Sequence, residues 1–119
     1  MTEKRVLIVE DEILIGADLG LMLEDWGYRA DGPHATVSAA LAAIEANPPD
    51  IALLDVNLGR DETSFDAARA LRDRDIPYVF LTGYSLERYV DEDVIQNAPC
   101  LKKPVAEGSL RRMLAEFAT

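Results

Sequence analysis

Residues that could carry out phosphate chemistry follow four short apolar runs of the chain. Glu10-Asp11-Glu12 comes directly after the first run, Asp55-Val56-Asn57 after a second, Thr82-Gly83 after a third and Lys102-Lys103-Pro104 after the last. If the runs are parallel strands, these residues meet at one edge of a sheet, because functional groups in open α/β sheets gather at the carboxyl ends of the strands. The order predicts a single site assembled from four strand ends.

Three of these residues, Glu10, Asp11 and Asp55, are acids that would repel one another at short range and raise each other's pKa unless a cation joins them. Mg²⁺ is the natural partner, because it prefers carboxylate, carbonyl and water oxygens and often bridges a protein carboxylate to a phosphoryl group. Asp55 ends a strongly apolar run, where a carboxylate can attack phosphorus and form an acyl phosphate. We therefore expect Asp55 to be the phosphoacceptor and Glu10 and Asp11 to hold the metal.

A lysine and a hydroxyl complete the minimal site. Phosphoryl transfer depends mainly on positioning and on neutralising the charge of the phosphoryl oxygens, and Lys103 and Thr82 can supply both. Gly83 would leave room for the donor. Glu12 is better explained as a residue that favours the N-terminus of the following helix.

The elements that must position this site alternate along the chain. Apolar runs at 6–9, 51–54 and 78–81 lack the alternation of half-exposed strands, as expected when helices cover both faces of a parallel sheet. Weaker runs lie at 28–30, which alternates with charges and suits an edge, and at 100–101. Strands that alternate with helices predict an α/β fold with right-handed crossovers.

Helices are predicted between these strands from apolar residues at helical spacing. Residues 64–74 predict another helix, with Ser64 as its cap, and residues 86–96 a short, weak one. The three apolar stripes are Ile15, Leu19, Met22, Leu23 and Trp26; Val37, Ala40, Leu41 and Ile44; and Leu110, Met113, Leu114 and Phe117.

Length and charge limit the class of function. The 119 residues fit one domain, so we expect a single domain over residues 1–119 and no effector domain in this chain. The net charge of -10 disfavours direct binding to nucleic acid or to an anionic membrane surface. A single cysteine, Cys100, excludes an internal disulfide, and no export signal is visible, so we expect a cytoplasmic protein.

The ordered set Val-Glu-Asp-Glu at 9–12, Leu-Asp-Val-Asn-Leu at 54–58, Thr-Gly at 82–83 and Lys-Pro at 103–104 resembles the bacterial response-regulator receiver domain. The resemblance covers essentially the whole chain. It implies a flavodoxin-like, doubly wound (βα)5 fold whose five parallel strands lie in the order 2-1-3-4-5, with helices on both faces. It also implies a role in a two-component system or phosphorelay.

The resemblance assigns the site residues individually. Mg²⁺ would be bound by Glu10, Asp11, Asp55 and the backbone carbonyl of Asn57. Thr82 and Lys103 would contact the phosphoryl group. Lys103 is chosen over Lys102 because it directly precedes the proline.

The same resemblance implies partners on the input and output sides. A histidine kinase or histidine phosphotransferase would donate the phosphoryl group, and a monomer or weak dimer would then present a changed surface to a downstream protein. No enzymatic activity is expected beyond Mg²⁺-dependent self-phosphorylation and autodephosphorylation. Two alternatives stay open: a phosphate sink in a branched phosphorelay, and a Mg²⁺-dependent phosphohydrolase, although Asn57 stands where such an enzyme needs its second acid.

The output residue is less clear from the sequence. Many receivers carry an aromatic switch residue three positions before the lysine, but Cys100 stands there, and we expect it to be a small buried residue. Thr82 and Tyr84 are the switch candidates. Residues 77–84 partly resemble a receiver subfamily named for a Phe-Ala-Thr-Gly-hydrophobic-Tyr motif, with Leu81 in place of alanine and Ser85 in place of tyrosine. His34, in an expected loop, is assigned no role.

Overall fold

The computed structural model describes residues 3–59, 61–83, 89, 91–96 and 98–118. Five parallel strands form one sheet in the order β2-β1-β3-β4-β5, which is the predicted order. The strands are β1 (Arg5–Val9), β2 (Arg29–His34), β3 (Ile51–Asp55), β4 (Tyr78–Thr82) and β5 (Cys100–Lys102). Four helices are described: α1 (Ile13–Asp25), α2 (Val37–Ala46), α3 (Phe65–Asp73) and α4 (Glu107–Ala118).

Two apolar clusters cover the two faces of the sheet, which confirms the doubly wound arrangement. Alternate residues of β1 divide between them, with Leu7 in the cluster that α2 and α3 cover and Ile8 in the cluster that α1 and α4 cover. All five residues of β3 are buried. The central strands are apolar throughout because both of their faces lie against helices.

The edge strands differ from the central ones, and two predictions fail there. Cys100 is exposed rather than buried, since it begins the edge strand β5, where only Leu101 of the three residues is partly covered. At the other edge, β2 is longer than the predicted run and extends to His34, which was expected in a loop.

The predicted helical stripes are largely on the buried faces, with one departure in α1 and one in α2, where Leu41 is 37% exposed. Leu19 and Leu23 are buried, and Trp26 packs against the same cluster at the end of the helix. Ile15 in the first turn of α1 is also 37% exposed, and Ile13 and Leu14 beside it are more exposed still. The Ile15 side chain lines a surface groove instead of the core.

The predicted cap Ser64 occupies the N-cap position of α3, but its side chain makes no capping hydrogen bond. Glu12 occupies the N-cap position of α1, at the helix N-terminus where it was predicted to act, also without a capping hydrogen bond. The Ser64 hydroxyl is fully buried and has no hydrogen-bond partner among the described residues. Thr36 is a capping residue, since its hydroxyl accepts a hydrogen bond from the Ala39 amide at 3.1 Å and so closes the first turn of α2.

Two glycines of α1 provide a matched test of how this helix packs against β2. A Cβ at Gly16 would lie 2.5 Å from Cβ of Pro33, whereas a Cβ at Gly20 would meet its nearest neighbours at 3.9 Å. Alanine normally stabilises a helix relative to glycine. We expect Gly20→Ala to stabilise the protein by about 0.5–1 kcal/mol and Gly16→Ala to destabilise it by about 1–3 kcal/mol through overpacking. Urea unfolding of both variants measures this, and equal shifts would contradict the packing.

Much of the predicted weak helix at 86–96 lies outside the described residues. In its described part, the amides of Glu92 and Ile95 donate to the carbonyl oxygens of Tyr89 and Glu92, three residues earlier, so these residues form turns. None of the helices in the described parts of the chain has the length and apolarity needed to cross a membrane.

Candidate functional site

Three carboxylates converge where β1 and β3 end side by side. Glu10 and Asp11 follow β1, and Asp55 is the last residue of β3, the neighbouring strand. One oxygen from each of the three lies within 4.8 Å of the other two. Glu10 is 1% exposed and Asp55 8%, so two negative charges are largely removed from water. The acids that the sequence predicted to share a site are thus brought together.

Lys103 supplies the opposite charge between two of these acids. Its Nζ lies 2.7 Å from Oε1 of Glu10 and 3.2 Å from Oδ2 of Asp55. The Lys103 amide donates to the Thr82 carbonyl at 2.7 Å, which fixes the lysine beside the end of β4. Lys102, by contrast, is exposed.

Burial and charge shift the proton affinities of these groups in opposite directions. Burial, together with the hydrogen bond and the negative charge of Glu10, raises the pKa of Asp55 from 3.8 to about 7, although Lys103 opposes the shift. For Glu10, burial would raise the pKa, but hydrogen bonds with Asp55, Lys103 and the Glu12 amide outweigh burial and lower it. Asp55 is therefore the acid that retains a proton most readily when no metal is bound.

The pKa of Lys103 is raised. Burial alone would lower it, but the hydrogen bond to Glu10 and the charges of Asp55 and Glu10 favour the ammonium form. A permanently charged lysine can bind phosphoryl oxygens as well as carboxylates.

The site opens into a cavity of about 400 Å³ with polar and charged walls. Its oxygen ligands and single ammonium group fit a hard divalent cation with a phosphoryl group beside it, so Glu10, Asp11 and Asp55 could hold a metal ion. Thr82 is 5% exposed at the end of β4, and Gly83, the residue that follows this strand, lines the cavity. The lining residues are Asp11, Glu12, Asp55, Asn57, Gly59, Gly83 and Lys103.

The loop after β3 contributes residues that the sequence did not single out. Gly59 has φ = +79°, and a Cβ there would lie 3.3 Å from Oδ2 of Asp11, so glycine allows the loop to approach the acidic cluster. Glu62 lies in the same loop, and its carboxylate accepts a hydrogen bond from the Val37 amide at the start of α2. The approach of Gly59 to Asp11 could have been suspected from the sequence, because a glycine shortly follows a strand that ends in an acid.

Asn57 makes a contact that no sequence pattern indicated. The Tyr89 hydroxyl donates a hydrogen bond of 3.0 Å to Oδ1 of the Asn57 side chain. The switch candidate Tyr84 and Ser85, which stands in place of the motif's tyrosine, lie outside the described residues. His34 pairs with Asp31 at 3.0 Å on β2.

Comparisons with known proteins agree with this architecture. The sequence model of the response regulator receiver domain matches residues 6–115. The transcriptional regulatory protein PdtaR of Mycobacterium tuberculosis is 37% identical over 89 residues, which are 74% of this chain and 43% of that protein. The chain thus spans less than half the length of this curated relative.

Solved structures give the same result over nearly the full chain. The receiver domain of a modulated diguanylate cyclase from Desulfovibrio desulfuricans is 30% identical with a TM-score of 0.85, covering 98% of this chain and 94% of that domain. The receiver domain of the PhyR response regulator from Erythrobacter litoralis is 28% identical with a TM-score of 0.86, covering 99% and 92%. Because the family model matches residues 6–115 and the sheet has the order expected of this family, the chain belongs to the response-regulator receiver family of two-component signalling.

Proposed function

We propose that the chain receives a phosphoryl group on Asp55, with Mg²⁺ held by Glu10, Asp11, Asp55 and the backbone carbonyl of Asn57. The observation that carries this proposal is the position of Lys103 Nζ, within 3.2 Å of Asp55 and 2.7 Å of Glu10, beside three carboxylates and an open cavity. A carboxylate nucleophile needs its own charge balanced and the incoming phosphoryl charge neutralised. The ammonium group of Lys103 and a cation held by the three carboxylates would supply the positive charge for both tasks.

The donor we propose is a phosphohistidine of a kinase or phosphotransferase. An oxygen of ionised Asp55 attacks phosphorus, the P–N bond breaks, and the electron pair returns to the imidazole nitrogen, which then takes up a proton. The product is an acyl phosphate. Lys103 can move from Asp55 to the phosphoryl oxygens because its ammonium already lies at the edge of the cavity. Mg²⁺, when bound, supplies neutralising charge to the carboxylates and to the phosphoryl group.

An apolar groove beside the cavity supports a protein donor. The groove, about 170 Å³, is bordered by α1 and the Pro104 segment, and Lys103 lines both the groove and the acidic cavity. At the start of α1, Ile13 is 75% exposed and Leu14 80%. A protein that delivers phosphohistidine to Asp55 would cover this surface, and burial of exposed apolar side chains favours such docking.

The output we propose is a changed protein-binding surface, since no catalytic role beyond self-phosphorylation and autodephosphorylation is needed for a switch. A phosphate sink would use the same input chemistry. It would differ in releasing its phosphoryl group without a change on a partner-binding surface.

Incubation with acetyl phosphate and Mg²⁺, followed by intact mass spectrometry, tests the function. The wild type should gain one phosphoryl group, and Asp55→Asn should gain none because an amide cannot form the acyl phosphate. Asp18→Asn, an exposed aspartate on α1, is the matched control and should react like the wild type.

An adduct that persists in Asp55→Asn would refute the assignment of the phosphoacceptor. Multiple turnover on small phosphoesters would favour a phosphohydrolase instead. Leu14→Glu should leave the acetyl phosphate reaction unchanged and slow transfer from a phosphorylated histidine phosphotransferase, which separates donor docking from the chemistry.

A further inference from the structure

We propose that Tyr89 is a positioning residue for Asn57 and that it couples occupancy of the cavity to the conformation of residues 91–96. This inference rests on the proposed function, because Asn57 matters as the residue whose backbone carbonyl is assigned to the metal. The hydrogen bond from the Tyr89 hydroxyl to Oδ1 of Asn57 spans 32 positions of sequence. It joins the loop that follows the phosphoacceptor to a segment outside the acidic cluster.

Packing fixes the position from which Tyr89 makes this bond. Its ring meets Phe65 edge-to-face with centroids 5.1 Å apart, and Phe65 meets Phe80 of β4 in the same manner at 6.0 Å. Such aromatic pairs have defined geometry and add to the free energy of burial. The hydroxyl therefore contacts Asn57 from a ring that is supported by the core.

Asn57, the acceptor of this hydrogen bond, lines the cavity, and its backbone is paired with that of another residue. Its side chain lines the cavity with Asp55 and Asp11, and its backbone forms an isolated antiparallel bridge with Thr63. Restraining the amide side chain also restrains the backbone torsions of the same residue. A pre-positioned ligand binds a cation more tightly, because less conformational entropy is lost on binding.

The segment that follows Tyr89 is attached to the rest of the fold at several points. Val94 is 1% exposed, and its carbonyl oxygen accepts a hydrogen bond from the Tyr78 hydroxyl at 3.1 Å. On the surface, Arg69 and Arg72 of α3 pair with Glu92 and Asp93 at 2.7 and 2.6 Å. A change at Asn57 can thus reach both a buried residue and the charged surface between this segment and α3.

Thermodynamic linkage makes the coupling reciprocal. If the Tyr89–Asn57 bond strengthens cation binding by some factor, cation binding must favour the bond by the same factor. The segment 91–96 then responds as far as it is coupled to the bond. Tyr89 would then provide a connection from the site to the protein surface in a chain that has Cys100 where an aromatic switch residue was expected.

The experiment is a titration of the unphosphorylated, ¹⁵N-labelled protein with Mg²⁺ alone, followed through the amide shifts of residues 55–63 and 91–96. Tyr89→Phe keeps the ring and removes the hydroxyl, and we expect it to weaken Mg²⁺ binding about two- to tenfold, the range for one hydrogen bond. The shift changes at 91–96 on saturation should be at least halved. Tyr78→Phe is the matched control, since it removes a hydroxyl that bonds to the same segment away from the cavity.

A double-mutant cycle with Asn57→Ala completes the test, because this variant keeps the backbone carbonyl and loses the side-chain acceptor. In that background Tyr89→Phe should have no further effect on Mg²⁺ affinity. Equal affinities for Tyr89→Phe and Tyr78→Phe, or an undiminished effect of Tyr89→Phe in the Asn57→Ala background, would overturn the proposal. These readings need no phosphorylation, so a failure of the acetyl phosphate reaction would be distinguishable from a failure of this inference.

Discussion

In metal-free buffer, the stability advantage of Asp55→Asn over the wild type is expected to grow by about 2 kcal/mol between pH 5 and pH 8. The reason is the pKa of Asp55, which is raised from 3.8 to about 7 by burial and by Glu10. An unfolded aspartate is ionised above pH 4, whereas the folded protein keeps its proton up to about pH 7. Folding therefore takes up a proton in this window, and wild-type stability falls as pH rises through it.

The magnitude follows from the same shift. A rise of about three pKa units would correspond to about 4 kcal/mol over the whole range between the unfolded and folded pKa, but about a third of it lies below pH 5, outside the measured window. Coupling to Glu10 reduces the remainder to about 2 kcal/mol. Titration of Glu10 does not affect the comparison between pH 5 and pH 8. Its pKa is lowered, so its contribution to the free energy of unfolding changes only below its ordinary pKa of 4.5. Asparagine cannot titrate, so the difference between the two proteins isolates Asp55.

Urea unfolding in the presence of EDTA at pH 5 and pH 8 measures the effect. Asp18→Asn, on an exposed part of α1, should differ from the wild type by the same small amount at both pH values. Mg²⁺ at pH 8 should remove most of the advantage of Asp55→Asn, since a bound cation balances the ionised carboxylate in the wild type. A difference that does not change with pH would show that the folded pKa of Asp55 is not raised.

The sheet and the acidic cluster could be predicted from the sequence because both depend on local patterns. Apolar runs such as 51–54 report burial on both faces, and the residues that end them must lie at one edge of a parallel sheet. The convergence of Glu10, Asp11 and Asp55 also needs β1 and β3 to be neighbours, and that strand order was implied by the family resemblance. Whether these residues bind Mg²⁺ and accept phosphate stays a prediction.

Contacts between distant side chains could not be predicted in this way. Tyr89 lies in segment 86–96, for which the sequence predicts only a short, weak helix, and no residue pattern there indicates that its hydroxyl meets Asn57. The approach of Gly59 to Asp11 depends on a backbone torsion of +79° that one glycine permits but does not require. Such contacts depend on how loops pack on the completed sheet.

Burial at the rim of the fold was also misjudged, for a physical reason. Cys100 and Ile15 have apolar side chains. However, Cys100 begins an edge strand, and Ile15 lies in the first turn of a helix. Apolar residue type favours burial only where a neighbouring element covers the position. The same incomplete cover leaves Ile13 and Leu14 available for a partner.

Removing the ammonium group of Lys103 is expected to change metal binding and phosphorylation in opposite directions. Lys103→Met keeps much of the side-chain volume and removes a charge located 2.7 Å from Glu10 and 3.2 Å from Asp55. Without metal at pH 8, two buried carboxylates then lack their cation, and we expect a loss of about 2–4 kcal/mol of stability. Mg²⁺ should bind more tightly than in the wild type, because the lysine no longer competes for the same oxygens.

The rate of phosphorylation should nevertheless fall in Lys103→Met, although Mg²⁺ binds more tightly. If Lys103 neutralises the phosphoryl oxygens, adduct formation from acetyl phosphate at saturating Mg²⁺ should be about 100-fold slower or more, as expected on loss of one preorganised electrostatic contact. Lys102→Met, at the exposed neighbouring position, is the matched control and should change stability by less than about 0.5 kcal/mol and leave both binding and rate unaltered. If Lys103→Met tightened Mg²⁺ binding but reacted at the wild-type rate, the lysine would be a counter-ion of the empty acidic site and not a group that acts on phosphate. Weaker Mg²⁺ binding in the same variant would instead mean that Lys103 holds Glu10 and Asp55 in the geometry that the cation requires.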